Sequence, residues 1–305
     1  MSHTALATFR LWSPLLLAGL LAWVLPATSL AQGADGDEQQ DLGEVGAKLS
    51  NPLGPILALF TEFDATFFDG NANQGDDEVG SAMIFQPILP LPLHGDDWKI
   101  LARPTIPIVW SQPRPDGFDK TNRDTGIGDT LLPLLVSPPL GANWIIGAGP
   151  TFTLPTSTND ALGRQQWQIG PAGVFGYKTP DYVLGLFPQY FFKVGSRGDK
   201  NNEVKDASNM SLLYFGFINL PNAWQVGTNP TITYDHQAES GNRWNVPIGI
   251  TVAKTTRFGK MPVKFQLGAE YSVVSQDDFG KVAMLKLNII PVIPSLLKRP
   301  ILGGS

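Results

Sequence analysis

Between residues 224 and 273 the side chains fall into two series that alternate with a period of two. Trp224, Val226, Thr228, Pro230, Ile232 and Tyr234 alternate with Gln225, Gly227, Asn229, Thr231, Thr233 and Asp235. Trp244, Val246, Ile248, Ile250 and Val252 alternate with Asn245, Pro247, Gly249, Thr251 and Ala253, and Val263, Phe265, Leu267, Ala269 and Tyr271 with Lys264, Gln266, Gly268, Glu270 and Ser272. Successive side chains of a strand point to opposite faces, so each segment is a strand with one apolar face and one polar or small face. The same pattern, less regular toward the N-terminus, predicts twelve strands, at about residues 56–68, 80–88, 98–110, 125–137, 143–154, 167–179, 182–194, 206–219, 224–236, 243–255, 261–273 and 281–293.

Period two also fits a soluble β-sandwich, and the connections separate the two folds. Pro138–Ala142, Thr179–Asp181, Leu220–Ala223 and Thr256–Lys260 are tight, whereas Asp69–Val79, Ser111–Asp124, Pro155–Gln166 and Gly195–Lys205 are long, polar and rich in Gly, Asn and Asp. An even number of strands with short turns at one end and long loops at the other marks a transmembrane antiparallel up-and-down β-barrel of the bacterial outer membrane. The six tryptophans after residue 31 fall at strand ends: Trp98, Trp144 and Trp224 at the short-turn rim, and Trp110, Trp167 and Trp244 at the long-loop rim. An indole, apolar with one N–H, suits a membrane interface, so the six are expected to be interface anchors on the lipid face.

Composition and targeting narrow the class. Residues 1–31 read as an export signal, with Arg10 ahead of the apolar stretch Leu11–Leu25 and small residues at Ser29-Leu30-Ala31. Residues 32–49, with Asp35, Asp37, Glu38, Asp41 and Glu44, read as an acidic flexible leader in the periplasm, and residues 50–305 as the barrel. The signal holds one basic and no acidic residue, so 22 Lys+Arg and 27 Asp+Glu become 21 and 27, a net charge of about −6 that argues against nucleic acid as a partner. After the signal no apolar run reaches the ~20 residues of a spanning helix, and a closed barrel is the other way to satisfy a backbone in lipid. With no cysteine, the chain has no disulfides, thiolate metal sites or Cys nucleophile.

Pro104, Pro107, Pro133, Pro150, Pro171, Pro188, Pro230 and Pro247 lie inside the predicted strands, each removing a ladder donor. Several stand beside glycine near mid-strand, as in Gly149-Pro150 and Gly170-Pro171, which points to built-in bends or a lateral opening in the wall.

Motifs in order along the chain resemble a known family. Thr125-Gly126-Ile127-Gly128-Asp129-Thr130 is followed by Ile146-Gly147-Ala148-Gly149-Pro150-Thr151 running to Pro155-Thr156, then Leu162-Gly163 and Trp167-Gln168-Ile169-Gly170-Pro171-Ala172. Gly241-Asn242-Arg243-Trp244-Asn245-Val246-Pro247-Ile248-Gly249 and Gly259-Lys260-Met261-Pro262-Val263 follow in the later half. Together with Asn51-Pro52 and the stretch from Gln86-Pro87 through Trp98 to Arg103, these resemble the outer-membrane proteins associated with the meta-cleavage pathway of phenol degradation. The resemblance implies an outer-membrane barrel of a Gram-negative bacterium that passes hydrophobic or aromatic compounds, needs no cofactor and is not an enzyme. Its partners would be outer-membrane lipids, small hydrophobic solutes and the barrel-assembly machinery.

The inward faces carry the candidate selectivity residues: Glu62, Asp64, Arg103, Asp129, Lys264, Gln266 and Glu270. Opposite charges across a narrow lumen either orient passing solutes or pair and plug it, and Arg103 with Asp129 or Glu270 is the first expected pair. The second alternative makes the chain a structural or adhesion barrel that works through its loops. Asp235-His236 invites a hydrolase reading, but neighbours on a strand point to opposite faces. His94 beside Asp96 and Asp97 reads as a solvated turn rather than a metal site. Gly126-Ile127-Gly128-Asp129 lacks the third glycine and the helix of a phosphate loop.

Overall fold

The structure, a computed structural model, describes residues 35–73, 78–94, 98–116, 121–139, 143–197 and 205–293. The export signal and the side chains of the turn holding His94, Asp96 and Asp97 lie outside the described residues. None of the described helices is long and apolar enough to cross a membrane.

One helix, α1 (Asp35–Ser50), precedes fifteen strands: β1 (Ala58–Asp69), β2 (Glu78–His94), β3 (Trp98–Ala102), β4 (Ile106–Pro115), β5 (Thr121–Ile127), β6 (Thr130–Ser137), β7 (Trp144–Leu154), β8 (Gln166–Lys178), β9 (Tyr182–Ser196), β10 (Ser208–Leu220), β11 (Trp224–Thr228), β12 (Thr231–Asp235), β13 (Trp244–Phe258), β14 (Met261–Val274) and β15 (Gly280–Pro291). All pair antiparallel in one sheet, and β1 pairs with both β2 and β15, which closes the sheet into a barrel. Three pairs of strands, β3/β4, β5/β6 and β11/β12, each continue one another, so the wall has the twelve staves that the alternation predicts. Closure leaves no sheet edge in lipid, the condition for a barrel to span a membrane.

The three interruptions have local causes. Pro104 and Pro230 stand in two of them, where a missing N–H and a fixed φ end the ladder. At Gly128-Asp129 the break is made by side chains: Asp129 is drawn to the loop after β7, and Thr130 N donates to Thr156 Oγ1 at 2.9 Å. β2 runs six residues beyond its predicted end, through Pro90 and Pro92. β1 starts at Ala58 opposite Ile88, so the rest of β2 pairs only with β3, and proline is tolerated on such an edge.

Inside the wall the ladder also skips residues 134–135 against 149–150 and 170–171 against 190–191. These gaps are not openings. A Cβ on Gly149 would collide with the Leu134 carbonyl, and one on Gly170 with the Tyr190 carbonyl, so the backbones of neighbouring staves close on each other there. The lateral opening expected from the prolines is absent at these two gaps.

Candidate functional site

Burial sorts the two faces of the wall. On β8, Gln166, Gln168, Ala172 and Val174 are buried while Trp167, Pro171 and Phe175 are exposed, and β13 and β15 alternate likewise. A row of large exposed apolar residues, including Leu184, Leu186, Ile218, Ile248, Ile250, Leu285 and Leu287, covers the outside. Such a face is stable only against lipid. Trp144 (50 % exposed), Trp98, Trp110, Trp167 and Trp244 belong to it, whereas Trp224 is half-buried beneath Lys254, whose Nζ stands 5.3 Å from the ring centroid. Trp110 lies five residues inside the end of β4.

The inner face is two unlike walls. Leu101 on β3, Leu135 on β6, Ile145 on β7, Val174 on β8, Val183 and Phe187 on β9, and Phe215 and Phe217 on β10 form most of one apolar cluster, which Ala58 on β1, Ile88 on β2 and Ile290 on β15 continue round the short-turn end. Facing it, β11, β13, β14, β15 and β1 present Gln225, Thr251, Thr255, Lys264, Gln266, Glu270, Lys286, Asn288, Glu62 and Asp64.

Residues 41–50 are helical and seated between these walls, where the sequence suggests a flexible leader. Lys264 is fully buried; its Nζ donates to Ser50 Oγ at 2.6 Å and to Gly46 O at 3.1 Å, and lies 5.1 Å from the Phe217 centroid. An ammonium at the last turn of a helix meets its unpaired carbonyls and the negative end of its dipole. Ser50 Oγ also donates to Gln225 Oε1 at 3.2 Å, and Arg257 pairs with Asp41 at 2.6 Å. On the other side Leu49 and Leu53 pack against the apolar cluster, and Leu53 covers Gly147. A segment touching inward side chains of β7, β10, β11, β13 and β14 occupies the lumen at its short-turn end. Gly46 is required there, since a Cβ would stand 2.5 Å from Thr255 Oγ1.

Above this floor the polar wall carries the charges. Lys286 pairs with Glu270, both more than nine-tenths buried, and stands opposite Asp64 in the register. Glu62 faces Asn288, and Asn288 faces Gln266 on its other side. Neither amide atom of Asn288, nor Gln266 Oε1, nor Asp64 Oδ1, has a hydrogen-bond partner among the described residues. Lys286 and Asn288 escaped the sequence-based set although their signal was present: they alternate with Leu285, Leu287 and Ile289.

The expected pairs of Arg103 do not form. Arg103 is buried at the break between β3 and β4, and its Nη2 donates to Gln86 Oε1 at 2.7 Å. Glu270 is taken by Lys286. Asp129 accepts the backbone N–H groups of Ser157 at 3.1 Å and Arg164 at 2.8 Å, so its charge ties down a loop instead of a side chain across the lumen. Asp235 pairs with Arg164, while His236 stacks edge-on against Tyr234 at 4.5 Å and tilts on Tyr190 at 5.7 Å, in an aromatic group with the exposed Trp244. The strand ends at Asp235, and the two side chains part to different surroundings.

No curated protein sequence matches this chain. Among solved structures, the COG4313 outer membrane channel from Pseudomonas putida F1 superposes with a TM-score of 0.58 at 14 % identity, over 78 % of this chain and 96 % of that one. The NanC porin follows with a TM-score of 0.46 at 8 % identity, over 78 % and 99 % of the two chains. Outer membrane phospholipase A from Escherichia coli gives 0.38 at 11 % identity, over 82 % and 99 %. The first of these likenesses shows the fold, an outer-membrane β-barrel. The family model described as "Putative MetA-pathway of phenol degradation" matches residues 91–278, more than half of the sequence, with nine of the twelve staves complete and the end of β2, and the chain belongs to that family.

Proposed function

We propose that the protein is a channel for the passive passage of small hydrophobic or aromatic compounds across the outer membrane. The observation that carries this reading is the contrast along the lumen. At the short-turn end the inward side chains are buried around residues 41–53, whereas toward the long loops Thr231 and Thr233 are exposed. Both lie opposite Leu213 and Ser211, on the same face of β10 as the buried Phe215 and Phe217, so they point inward and meet solvent there. A vestibule edged by polar side chains, Thr151, Thr153 and Gln168 on one side and Thr231 and Thr233 on the other, that leads down to the apolar cluster accepts a solute with an aromatic body and one polar group. Below it Glu62, Asp64, Gln266 and Glu270 line the way down the lumen, Arg103 is held on Gln86, Lys264 holds the floor, and passage requires the segment 41–50 to shift.

The seated segment and the buried Lys286–Glu270 pair favour a second reading, a plugged structural barrel that acts through its loops. Single-channel conductance in planar bilayers and liposome uptake of phenol and toluene separate the two. Conductance and aromatic uptake above those of protein-free membranes support the channel, and an ion-tight barrel that takes up neither overturns it.

A further inference from the structure

The loop of residues 155–165, between β7 and β8, reaches across the long-loop mouth. Asp129, at the break in the fourth stave, holds it by the backbone N–H groups of Ser157 and Arg164. Thr158 closes against the same stave, its N donating to Ile127 O at 2.9 Å and its Oγ1 accepting from Ile127 N at 2.9 Å. From this anchored backbone the Arg164 side chain extends to Asp235 at the end of the ninth stave. Fourth and ninth are five apart in a ring of twelve, so loop and side chain together bridge most of the mouth.

We propose that Arg164 and Asp235 form the outer constriction of this channel and discriminate solutes by charge: a monocarboxylate takes the place of Asp235 on the Arg164 guanidinium. The inference rests on the channel reading above and deepens it. Asp235 shows that a carboxylate fits the guanidinium, whose planar fork suits that group. The pair is accessible, with side-chain exposures of 34 % for Arg164 and 24 % for Asp235. It is also exchangeable, because Asp235 Oδ1 accepts from Gln237 N at 2.9 Å and keeps that partner when Arg164 leaves. Inward of Asp235 on the same face, the exposed hydroxyls of Thr233 and Thr231 continue the polar path into the vestibule.

The test uses the full-length barrel in detergent and in bilayers, with sodium benzoate as the probe and benzyl alcohol as its uncharged counterpart. Asp235→Asn retains the oxygen that bonds Gln237 and frees the guanidinium. Benzoate should bind it about tenfold more tightly than wild type, and benzyl alcohol equally well. Arg164→Gln leaves the backbone N–H that Asp129 holds, and in either background it should abolish the benzoate preference. In a KCl gradient Arg164→Gln should move the reversal potential toward cation selectivity, and Arg164→Lys should leave it near wild type. Equal benzoate affinity across the variants, or a reversal potential indifferent to Arg164→Gln in a conducting barrel, overturns the proposal. Silent bilayers throughout would instead overturn the channel reading, and the benzoate affinities would still decide whether the constriction binds carboxylates.

Discussion

The two inner walls of the barrel bury side chains at similar depth by opposite means. On β6 to β10, Leu135, Ile145, Val174, Val183 and Phe187 exclude water by packing against one another and against Leu49 and Leu53. On β14 and β15, Lys264, Gln266, Lys286 and Asn288 are as fully buried, yet Lys264 and Lys286 are held by hydrogen bonds and charge, while Gln266 Oε1 and both amide atoms of Asn288 have no partner among the described residues. A packed apolar wall loses stability in proportion to the volume removed. A buried ionic wall is all or none, because removing one partner leaves a desolvated charge behind. In the proposed channel the apolar wall would be the scaffold, and the ionic wall the side sensitive to loss of a single partner.

The largest effect is expected where the ionic wall loses its central cation. Lys286→Met leaves Glu270 and Asp64 without their counter-charge and should cost about 3–5 kcal/mol, read as a lower urea midpoint of the heat-modifiable gel band. Adding Glu270→Gln should restore much of the loss. Leu135→Ala on the apolar wall should cost about 3 kcal/mol in the same assay, with no second-site charge change repairing it. If Lys286→Met proves milder than Leu135→Ala, the contrast between the walls fails.

Lys264→Met should cost about 2 kcal/mol, and the loss should be local. Protease cleavage within residues 41–50 should accelerate in vesicles before the barrel midpoint moves. Gly46→Ala should unseat the same segment by about 1–2 kcal/mol through its clash with Thr255 Oγ1, and Thr255→Ala should rescue it. Were Gly46→Ala to leave cleavage unchanged, the helix would not depend on that contact. The smallest effect is expected outside the lumen: Trp144→Leu should cost about 1 kcal/mol or less and leave solute uptake unaltered, since its ring faces lipid.

The lipid face, the twelve staves and the turn-and-loop parity were legible because they depend on period-two alternation and on turn residues only a few positions apart. The polar wall was partly legible for the same reason: Lys264, Gln266 and Glu270 share a parity that the strand itself imposes. Lys286 and Asn288 obeyed it too and needed only the same reading of β15. What failed was partner choice. Arg103 was expected to meet Asp129 or Glu270 because all three face inward, yet Gln86 on the adjoining stave takes Arg103, and Asp129 is claimed by two backbone N–H groups of a neighbouring loop. Facing inward restricts a side chain to a cylinder; which neighbour it reaches depends on register and on loops that compete for it.

The acidic stretch before the barrel shows the same division. Composition marks residues 32–49 as polar and weakly apolar, and taken alone such a segment cannot bury enough surface to fold. Its helix is stabilised from outside, by Lys264 on its last turn, Gln225 on Ser50 and an apolar floor beneath Leu49 and Leu53. Local alternation and turn chemistry were enough to determine a closed, twelve-stave barrel with its lipid face outward, because each strand declares its two faces independently of the rest. The occupied lumen, the Lys286–Glu270 pair and the Arg164–Asp235 bridge were decided by closure, which sets residues far apart in the chain within hydrogen-bond reach of one another.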